Sequence, residues 1–246
     1  MECGDDLIIA RAEDTIKRCC TKNIPAFFGF LNEHECSIVQ LYAKNKHCRF
    51  LLFGGYEGAE RVIFAALPDW AEDTQFPITA LTFEYKKEYS LNHRDFLGSL
   101  MALGITREKI GDIVVGEGRT VVFIHDDIAG FVVSQITKIG RVGVKITTGA
   151  PYDIQVDNKY ESITKTIASA RLDCIVAAIT NNSRTAATEL IISGNVFTSG
   201  VENRSVSYTV KEGETLSVRK HGKYIIDSVA NLTKKGRLRL ECRRKI

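Results

Sequence analysis

Apolar residues return every three or four positions over residues 4–22, and this spacing predicts a helix that ends shortly before Pro25. The same periodicity predicts a second helix over residues 33–44. Two short apolar runs follow at residues 49–53 and 61–67, and the paired glycines between them indicate a turn. Together these elements predict a small N-terminal α/β subdomain.

A regular alternation of strands and helices is predicted over residues 77–147. In chain order the pattern predicts a strand at 78–85, a helix at 93–104, two strands at 112–115 and 120–124, a helix at 127–140 and a strand at 142–147. Asn92 and Asp95 offer capping chemistry at the start of the first of these helices. The order β-α-β-β-α-β predicts a ferredoxin-like, RRM-like domain.

The aromatic residues of this predicted sheet raise the question of base stacking. RRM sheets stack RNA bases on exposed rings, and Phe83, Tyr85 and Phe123 lie in the predicted strands. Residues 118–125, however, do not contain the Gly and Phe core of the RNP1 motif. We therefore expect these rings to pack in the core.

Two short amphipathic helices are predicted at residues 171–180 and 183–193. Ser183 suits the N-cap of the second helix, and Gly194 suits its C-terminal end. Arg184 then stands in the first turn beside exposed backbone N–H groups, a combination that predicts a phosphate site. Short strands punctuated by glycines follow this helix pair.

The segments on either side of this region also carry predictions. Residues 151–170 are largely polar and predict a linker, although the alternation over residues 162–169 favours a strand leading into the next domain. The tail at residues 234–246 alternates basic and apolar positions, which predicts a strand with one basic face. The alternative is an edge strand that its charges protect from aggregation.

The charge of the chain is unevenly distributed. The net charge is +3, but residues 171–246 hold 14 Lys and Arg against 7 Asp and Glu, whereas residues 1–170 carry a net −4. A basic third on a slightly acidic body is typical of a protein that binds a polyanion. A surface that is basic only for solubility remains the alternative.

Composition excludes several other classes of protein. The seven cysteines form no C-x-x-C pair and the five histidines lack metal-ligand spacing, so neither a zinc site nor a redox motif is predicted. No run of about 18 apolar residues exists, and the acidic N-terminus does not suit a signal peptide. We expect a cytoplasmic protein with free thiols.

Several motifs in the last third of the chain have a specific spacing. They are Arg171-Leu172-Asp173, Ser183-Arg184, Leu190-Ile191-x-x-Gly194-x-Val196, Gly200 and Val210-x-x-Gly213-x-x-Leu216-x-Val218. These motifs resemble the S4 RNA-binding domain. The family often has Val-Asn-Gly where Thr198-Ser199-Gly200 stands here, a departure that affects hairpin contacts rather than the fold.

The resemblance implies where RNA would bind. S4 domains bind irregular RNA with their two-helix face and the following hairpin. By this resemblance Arg171 and Arg184 would contact phosphates, and Lys220 and Lys223 would lie beside them. The expected RNA-binding residues are Arg171, Ser183, Arg184, Arg219, Lys220, His221 and Lys223, with secondary contacts at Arg61, Arg94 and Arg107. For each exposed Lys or Arg, plain solvation is the alternative.

Three longer motifs lie upstream. They are Phe53-Gly54-Gly55-Tyr56-Glu57-Gly58-Ala59-Glu60-Arg61, Asn92-His93-Arg94-Asp95-Phe96-Leu97-Gly98 and Gly104-Ile105-x-Arg107-Glu108-x-Ile110-Gly111-Asp112-Ile113. With the S4-like end, they resemble the YlmH family, which comprises bacterial S4 proteins with a cyanobacterial and plastid branch. The resemblance implies a ribosome-associated RNA-binding protein linked to quality control on stalled large subunits carrying peptidyl-tRNA. Gene neighbourhood in that family suggests a cell-division role.

Three patterns resemble catalytic motifs. Asp173 matches the nucleophile of the R-L-D motif in pseudouridine synthases, but S4 domains open the same way, so we expect it to cap the helix or pair with a basic neighbour. His93-Arg94-Asp95 matches the kinase catalytic loop, but Leu100 stands where that loop needs Asn. Gly54-Gly55-x-x-Gly58 lacks the Lys-Ser/Thr of a P-loop and predicts a structural turn.

We therefore expect an α+β chain with an N-terminal α/β subdomain at 1–74, a ferredoxin-like domain at 75–150, a linker at 151–170 and an S4 domain at 171–246. The expected function is non-catalytic binding of structured rRNA and tRNA on the ribosome, with the large subunit as the expected site. We expect a monomer that uses no metal, cofactor or membrane. An RNA-modifying enzyme of the pseudouridine-synthase type and a cell-division adaptor remain the alternatives.

Overall fold

The structure, a computed structural model, describes residues 3–151, 160–230 and 236–245. The chain divides into two compact units, Met1–Val156 and Asp157–Ile246. The described residues form six α-helices and several antiparallel sheets, which confirms the predicted mixture of helices and strands. Within these residues, no helix is both long enough and apolar enough to cross a membrane.

The first unit alternates helices with strands along most of its length. In chain order its elements are α1 (Cys3–Lys22), β1 (Ala26–Leu31), α2 (Glu33–Asn45), β2 (Arg49–Phe53), β3 (Val62–Leu67), β4 (Ile78–Glu84), α3 (His93–Ala102), a 3₁₀ turn (Arg107–Lys109), β5 (Ile110–Gly116), β6 (Arg119–His125), α4 (Asp126–Gln135), β7 (Lys138–Ile139), β8 (Val142–Gly143) and β9 (Lys145–Thr148).

Two sheets organise these elements. The first has the strand order β1–β3–β2, and the second has the order β5–β6–β4–β9. Ala12 of α1 and Val39 of α2 are fully buried against Phe64 of the first sheet, because the apolar positions of both helices return every three or four residues. In the same way, Phe96 of α3 packs edge-on against Phe83 of the second sheet.

The remaining faces of the two sheets pack on each other. Phe30 and Ile63 of the first sheet meet Val121 and Phe123 of the second, and all four are almost completely buried. Burying a side chain of this size contributes about 1.5–3 kcal/mol. The first unit is therefore a four-layer structure in the order helices, sheet, sheet, helices.

Three elements of the first unit differ from the prediction. The single strand expected at 142–147 is divided into β8, which pairs with β7, and β9, which pairs with β4. Strand β1 was not predicted, because a bulge between Phe28 and Phe30 breaks the two-residue alternation and turns these rings to opposite faces. Helix α4 ends at Gln135 rather than at residue 140. Ile136 already has extended backbone, with φ −91° and ψ 115°, and the next residues form the small β7–β8 hairpin.

The second unit is an antiparallel sheet with two helices on one face. Its elements are β10 (Tyr160–Ile167), α5 (Leu172–Thr180), α6 (Arg184–Ile192), β11 (Val196–Thr198), β12 (Val201–Glu202), β13 (Thr215–Val218), β14 (Gly222–Ala230) and β15 (Leu238–Lys245). The strand order is β10–β15–β14–β13–β11–β12. Ile175 of α5 and Ile191 of α6 are fully buried on Leu216, Ile226 and Leu240 of the sheet.

Both flanking segments of the second unit belong to its sheet. Within residues 151–170, expected as a linker, β10 pairs along its whole length with β15; residues 152–159 lie outside the described part of the chain. The predicted strand with one basic face is confirmed in β15, where Leu240 and Cys242 are buried while Arg239 and Arg243 are exposed; residues 234, 235 and 246 of that prediction lie outside the described part of the chain. The edge-strand alternative is wrong, because β15 lies between β10 and β14 and both edges of its backbone are paired.

Candidate nucleic-acid interface

The α5–α6 pair has well-defined ends. Helix α5 stops at Asn181, which adopts the left-handed conformation (φ 54°) that Asn tolerates better than most residues. Ser183 caps α6 as predicted, because its Oγ accepts a hydrogen bond from the Ala186 N–H at 3.1 Å. Gly194 follows α6 with φ 72°, a backbone conformation that suits glycine. The connection between the helices is thereby held in one geometry.

Asp173 joins the two arginines expected to contact phosphates. Arg184 donates through Nε to Asp173 Oδ2 at 2.7 Å, and Arg171 donates through Nε to Oδ1 at 3.1 Å. The Asp173 side chain is only 4% exposed, whereas those of Arg171 and Arg184 are 42% and 58% exposed. The arrangement confirms the expected pairing of Asp173 with a basic neighbour, and it presents two oriented guanidinium groups to solvent.

The electrostatics of this site favour the charged states of Asp173 and Arg184. Burial raises the pKa of Asp173, but the hydrogen bonds from Arg171 and Arg184 outweigh burial, so the net pKa lies below its ordinary value. The hydrogen bond to Asp173 raises the pKa of Arg184. The site therefore holds two cations and one anion at neutral pH, with a net charge of +1.

The four other expected contacts lie together on one hairpin. Arg219, Lys220 and His221 form the turn between β13 and β14, and Lys223 follows in β14. Tyr224 anchors this turn, because its hydroxyl donates to the His221 carbonyl at 3.0 Å and lies 3.4 Å from the Ile179 carbonyl at the end of α5. Sequence reasoning missed this role of Tyr224, although a tyrosine at an inward strand position beside a basic turn was a usable signal.

The residues expected as secondary contacts behave differently from one another. Arg61 donates to the carbonyls of Phe30 and Ile110 at 2.5 and 3.0 Å, and Arg107 donates to the Ile110 carbonyl at 2.6 Å. Burial, followed by repulsion from Arg61, lowers the pKa of Arg107 to about 10. These two guanidinium groups hold backbone together inside the first unit, whereas Arg94 is exposed at the start of α3.

Asp112 links two of the three upstream motifs, residues 53–61 and 104–113. Its carboxylate accepts hydrogen bonds from the Tyr56 hydroxyl at 2.7 Å, from the Glu60 N–H at 2.7 Å and from the Arg61 N–H at 3.1 Å. Burial, reinforced by the hydrogen bond to Asp112, raises the pKa of Tyr56. Hydrogen bonds to Asp112 therefore hold the loop after β2 against β5. Tyr56, Glu60 and Asp112 have a structural role.

The two remaining catalytic resemblances also have structural explanations. Asn92 and Asp95 form a capping box on α3, since the Asp95 carboxylate accepts a hydrogen bond from the Asn92 N–H at 2.8 Å. A Cβ at Gly54 would lie 2.3 Å from the Arg61 carbonyl oxygen, so this turn requires glycine for close packing. Among the described residues, no three His, Cys, Asp or Glu side chains are grouped to hold a metal.

Both faces of the second sheet are covered. Phe83 is fully buried on the helix-covered face, and Phe123, only 2% exposed, packs against Tyr56 with ring centroids 4.9 Å apart. These positions confirm the expectation of core packing for Phe83 and Phe123, whereas Tyr85 is half-buried, with its ring centroid 6.0 Å from that of Phe96. RRM-type base stacking on this sheet is therefore blocked.

Comparisons with known proteins agree with this geometry. The family model described as "Putative RNA-binding domain in YlmH" matches residues 71–152. The "Ribosome-associated protein quality control protein P2" of Bacillus subtilis (strain 168) is 30% identical over 215 residues, which cover 86% of this chain and 84% of the relative. The chain belongs to the YlmH family. A solved YlmH structure, "Cell division protein ylmH from Streptococcus pneumoniae", matches with a TM-score of 0.56 at 21% identity, over 64% of this chain and 97% of the other, and shares the fold.

Proposed function

We propose that this YlmH-family chain is a non-catalytic RNA-binding protein that uses its second unit as an S4 domain to bind structured rRNA on the ribosome. The observation that carries the proposal is the pair of exposed arginines held by Asp173. A planar guanidinium forms two parallel hydrogen bonds with a phosphate, and a fixed orientation lowers the entropy cost of forming them.

The second unit also has the charge distribution that such binding needs. The proposed contacts are Arg171 and Arg184 of the helix pair together with Arg219, Lys220 and Lys223 of the β13–β14 hairpin. The net charge of +7 over residues 171–246 supplies the long-range attraction. His221 and the helix-capping Ser183 complete the proposed contact set.

The name of one relative supports the ribosome as the particle on which we propose this binding to take place. The B. subtilis relative is named for ribosome-associated protein quality control, and we extend that role to this chain, with the large subunit as the site and tRNA as a further partner. A ribosome-bound role also implies a cytoplasmic location. The proposal includes the division of the first unit at residues 74 and 75, since β4 to β9 have the strand order of a ferredoxin-like domain.

The absence of catalysis is part of the proposal. A pseudouridine-synthase mechanism needs a carboxylate that reaches the substrate, but both carboxylate oxygens of Asp173 accept hydrogen bonds from arginines and the side chain is buried. Asp95 is likewise engaged in the capping box of α3. Both carboxylates therefore serve to position other groups.

Co-sedimentation with purified ribosomal subunits tests the proposal. We expect the variant Arg171→Ala/Arg184→Ala to lower the affinity for the large subunit about tenfold or more, and to reduce the dependence of binding on salt. The control variant Lys17→Ala/Lys86→Ala removes the same charge from exposed positions of the first unit and should bind as the unmodified protein does. Unchanged co-sedimentation of the first variant would overturn the proposal.

A protein adaptor is the second candidate, and one observation favours it. Trp70, the single tryptophan of the chain, is 63% exposed, and its indole N–H donates to the carbonyl of Asn23 beside the exposed Ile24. Exposed tryptophan is enriched at protein interfaces. Association with a protein partner that survives both RNase treatment and the Arg171→Ala/Arg184→Ala change would support the adaptor, whereas loss under either condition would exclude it.

A further inference from the structure

The sheet of the second unit has a face that its helices do not cover. Alternate residues of each strand, such as Leu216, Tyr224 and Cys242, point into the core with α5 and α6. The residues between them point the opposite way and are half-buried or exposed. The central residues of this outer face are Phe197, Ser217, Lys223, Ile225, Arg243 and Tyr160.

Two arginines lie over two aromatic rings on this outer face. The Arg219 guanidinium carbon is 5.8 Å from the centroid of the Phe197 ring, and that of Arg243 is 5.2 Å from the centroid of Tyr160. Asp227 fixes Arg243 further, because Nε of Arg243 donates to both carboxylate oxygens at 2.9 and 3.1 Å. Such contacts hold a guanidinium plane against a ring and leave its other side available.

The chemistry of these pairs fits unpaired nucleotides. Bases of single strands stack on aromatic rings and on arginine planes, and they do so with little sequence preference. Phe197 and Tyr160 lie four strand intervals apart, about 19 Å, which suits a segment of about four nucleotides. Lys223 lies between them at the register position opposite Ser217, where a cation can meet the connecting phosphates.

We propose that this outer face is a second RNA site, which stacks unpaired bases on the Arg219–Phe197 and Arg243–Tyr160 pairs. The inference rests on the proposed RNA-binding function and extends it from structured RNA to a single-stranded segment. The β13–β14 hairpin connects the two sets of proposed contacts, because Arg219 and Lys223 belong to both. A protein partner fits this face less well, since Ile225 is the one aliphatic side chain among its six central residues.

Two RNA probes distinguish this site from the helix-pair site. We expect Phe197→Leu/Tyr160→Leu to lower the affinity for a single-stranded RNA octamer about tenfold or more, while the affinity for a stable RNA hairpin changes less than about twofold. We expect Arg171→Ala/Arg184→Ala to lower the affinity for the RNA hairpin more than the affinity for the octamer. Fluorescence anisotropy at fixed salt measures the affinities of the unmodified protein and of both variants for both RNAs, and circular dichroism checks the fold.

The outcomes separate the two proposals. If Phe197→Leu/Tyr160→Leu leaves the affinity for the octamer unchanged, the second site is overturned. The proposal for Arg171 and Arg184 is then judged by the affinity for the RNA hairpin. If neither variant changes any affinity, both proposals fall. Crosslinking of the unmodified protein to an octamer containing 4-thiouridine gives a test that no folding defect can affect. We expect crosslinked peptides that contain Tyr160 or Phe197, and crosslinks confined to α5 and α6 overturn the second site.

Discussion

Asp173 and Arg184 are eleven residues apart in sequence, and a 2.7 Å hydrogen bond joins them across the turn between α5 and α6. The carboxylate is buried, whereas the guanidinium is more than half exposed. The pairing therefore orients the arginine without hiding it. Because Arg171 pairs with the other carboxylate oxygen, one buried acid positions both cations of the proposed phosphate site.

Replacing the acid should weaken RNA binding although both arginines remain. We expect Asp173→Asn to lower the affinity for a structured RNA about fivefold and to destabilise the second unit by about 1–2 kcal/mol, because charge-assisted hydrogen bonds are lost. The control Glu189→Gln removes one negative charge from an exposed position of α6 and should bind RNA at least as tightly as the unmodified protein. Filter binding measures the affinities; Asp173→Asn binding as tightly as Glu189→Gln would refute the positioning role.

The same carboxylate predicts a pH dependence of stability. Its pKa in the folded protein lies below the unfolded value of about 3.9, so its contribution is complete above about pH 5 and is lost as the pH falls through the folded pKa. The stability difference between the unmodified protein and Asp173→Asn should therefore be smaller at pH 3 than at pH 7. Urea unfolding followed by circular dichroism measures this stability difference. A difference that is larger at pH 3 than at pH 7 would contradict the lowered pKa of Asp173.

Asp112 should matter for stability rather than for RNA binding. We expect Asp112→Ala to destabilise the first unit by about 2–4 kcal/mol, because three donors lose their acceptor. Fluorescence of Trp70 reports on this unit during urea unfolding, since it is the single tryptophan of the chain. Glu117→Ala, in the exposed β5–β6 turn, is the control and should change little. Equal urea midpoints of unfolding for Asp112→Ala and Glu117→Ala would argue against the structural role of Asp112.

Two glycines of one loop allow a clash to be separated from backbone strain. Gly55 and Gly58 both have positive φ, 102° and 82°, but a Cβ at Gly55 would lie 2.4 Å from the Phe123 ring, whereas one at Gly58 would meet no atom within 4 Å. We expect Gly55→Ala to cost about 2 kcal/mol more than Gly58→Ala. Trp70 fluorescence measures the urea midpoints of unfolding of both variants. Equal losses of stability would show that Phe123 can move aside.

Local features of the fold were predictable from sequence because neighbouring residues determine them. The caps at Asn92 and Ser183, the left-handed Gly194 and the apolar helix faces all follow from chemistry within a few positions. The pairing of Asp173 was also foreseen, since its partners flank it in the helix pair.

Features that depend on distant residues were not predictable in the same way. Strand β1 was missed because the bulge before Phe30 is stabilised by the second sheet, which packs on that ring. The burial of Arg61 and Arg107 depends on hydrogen bonds to the carbonyls of Phe30 and Ile110. No local sequence pattern predicts these contacts. The interior position of β15 likewise depends on β10, about 80 residues earlier in the chain.

Crosslinking of RNA in cells, read by sequencing across a sucrose gradient, is the decisive test of ribosomal RNA binding. We expect crosslinks to ribosomal RNA in the fractions that contain the large subunit, and their loss in the Arg171→Ala/Arg184→Ala variant with the Lys17→Ala/Lys86→Ala control unaffected. Crosslinks that persist in the first variant, or that fall outside ribosomal fractions, would contradict this proposal.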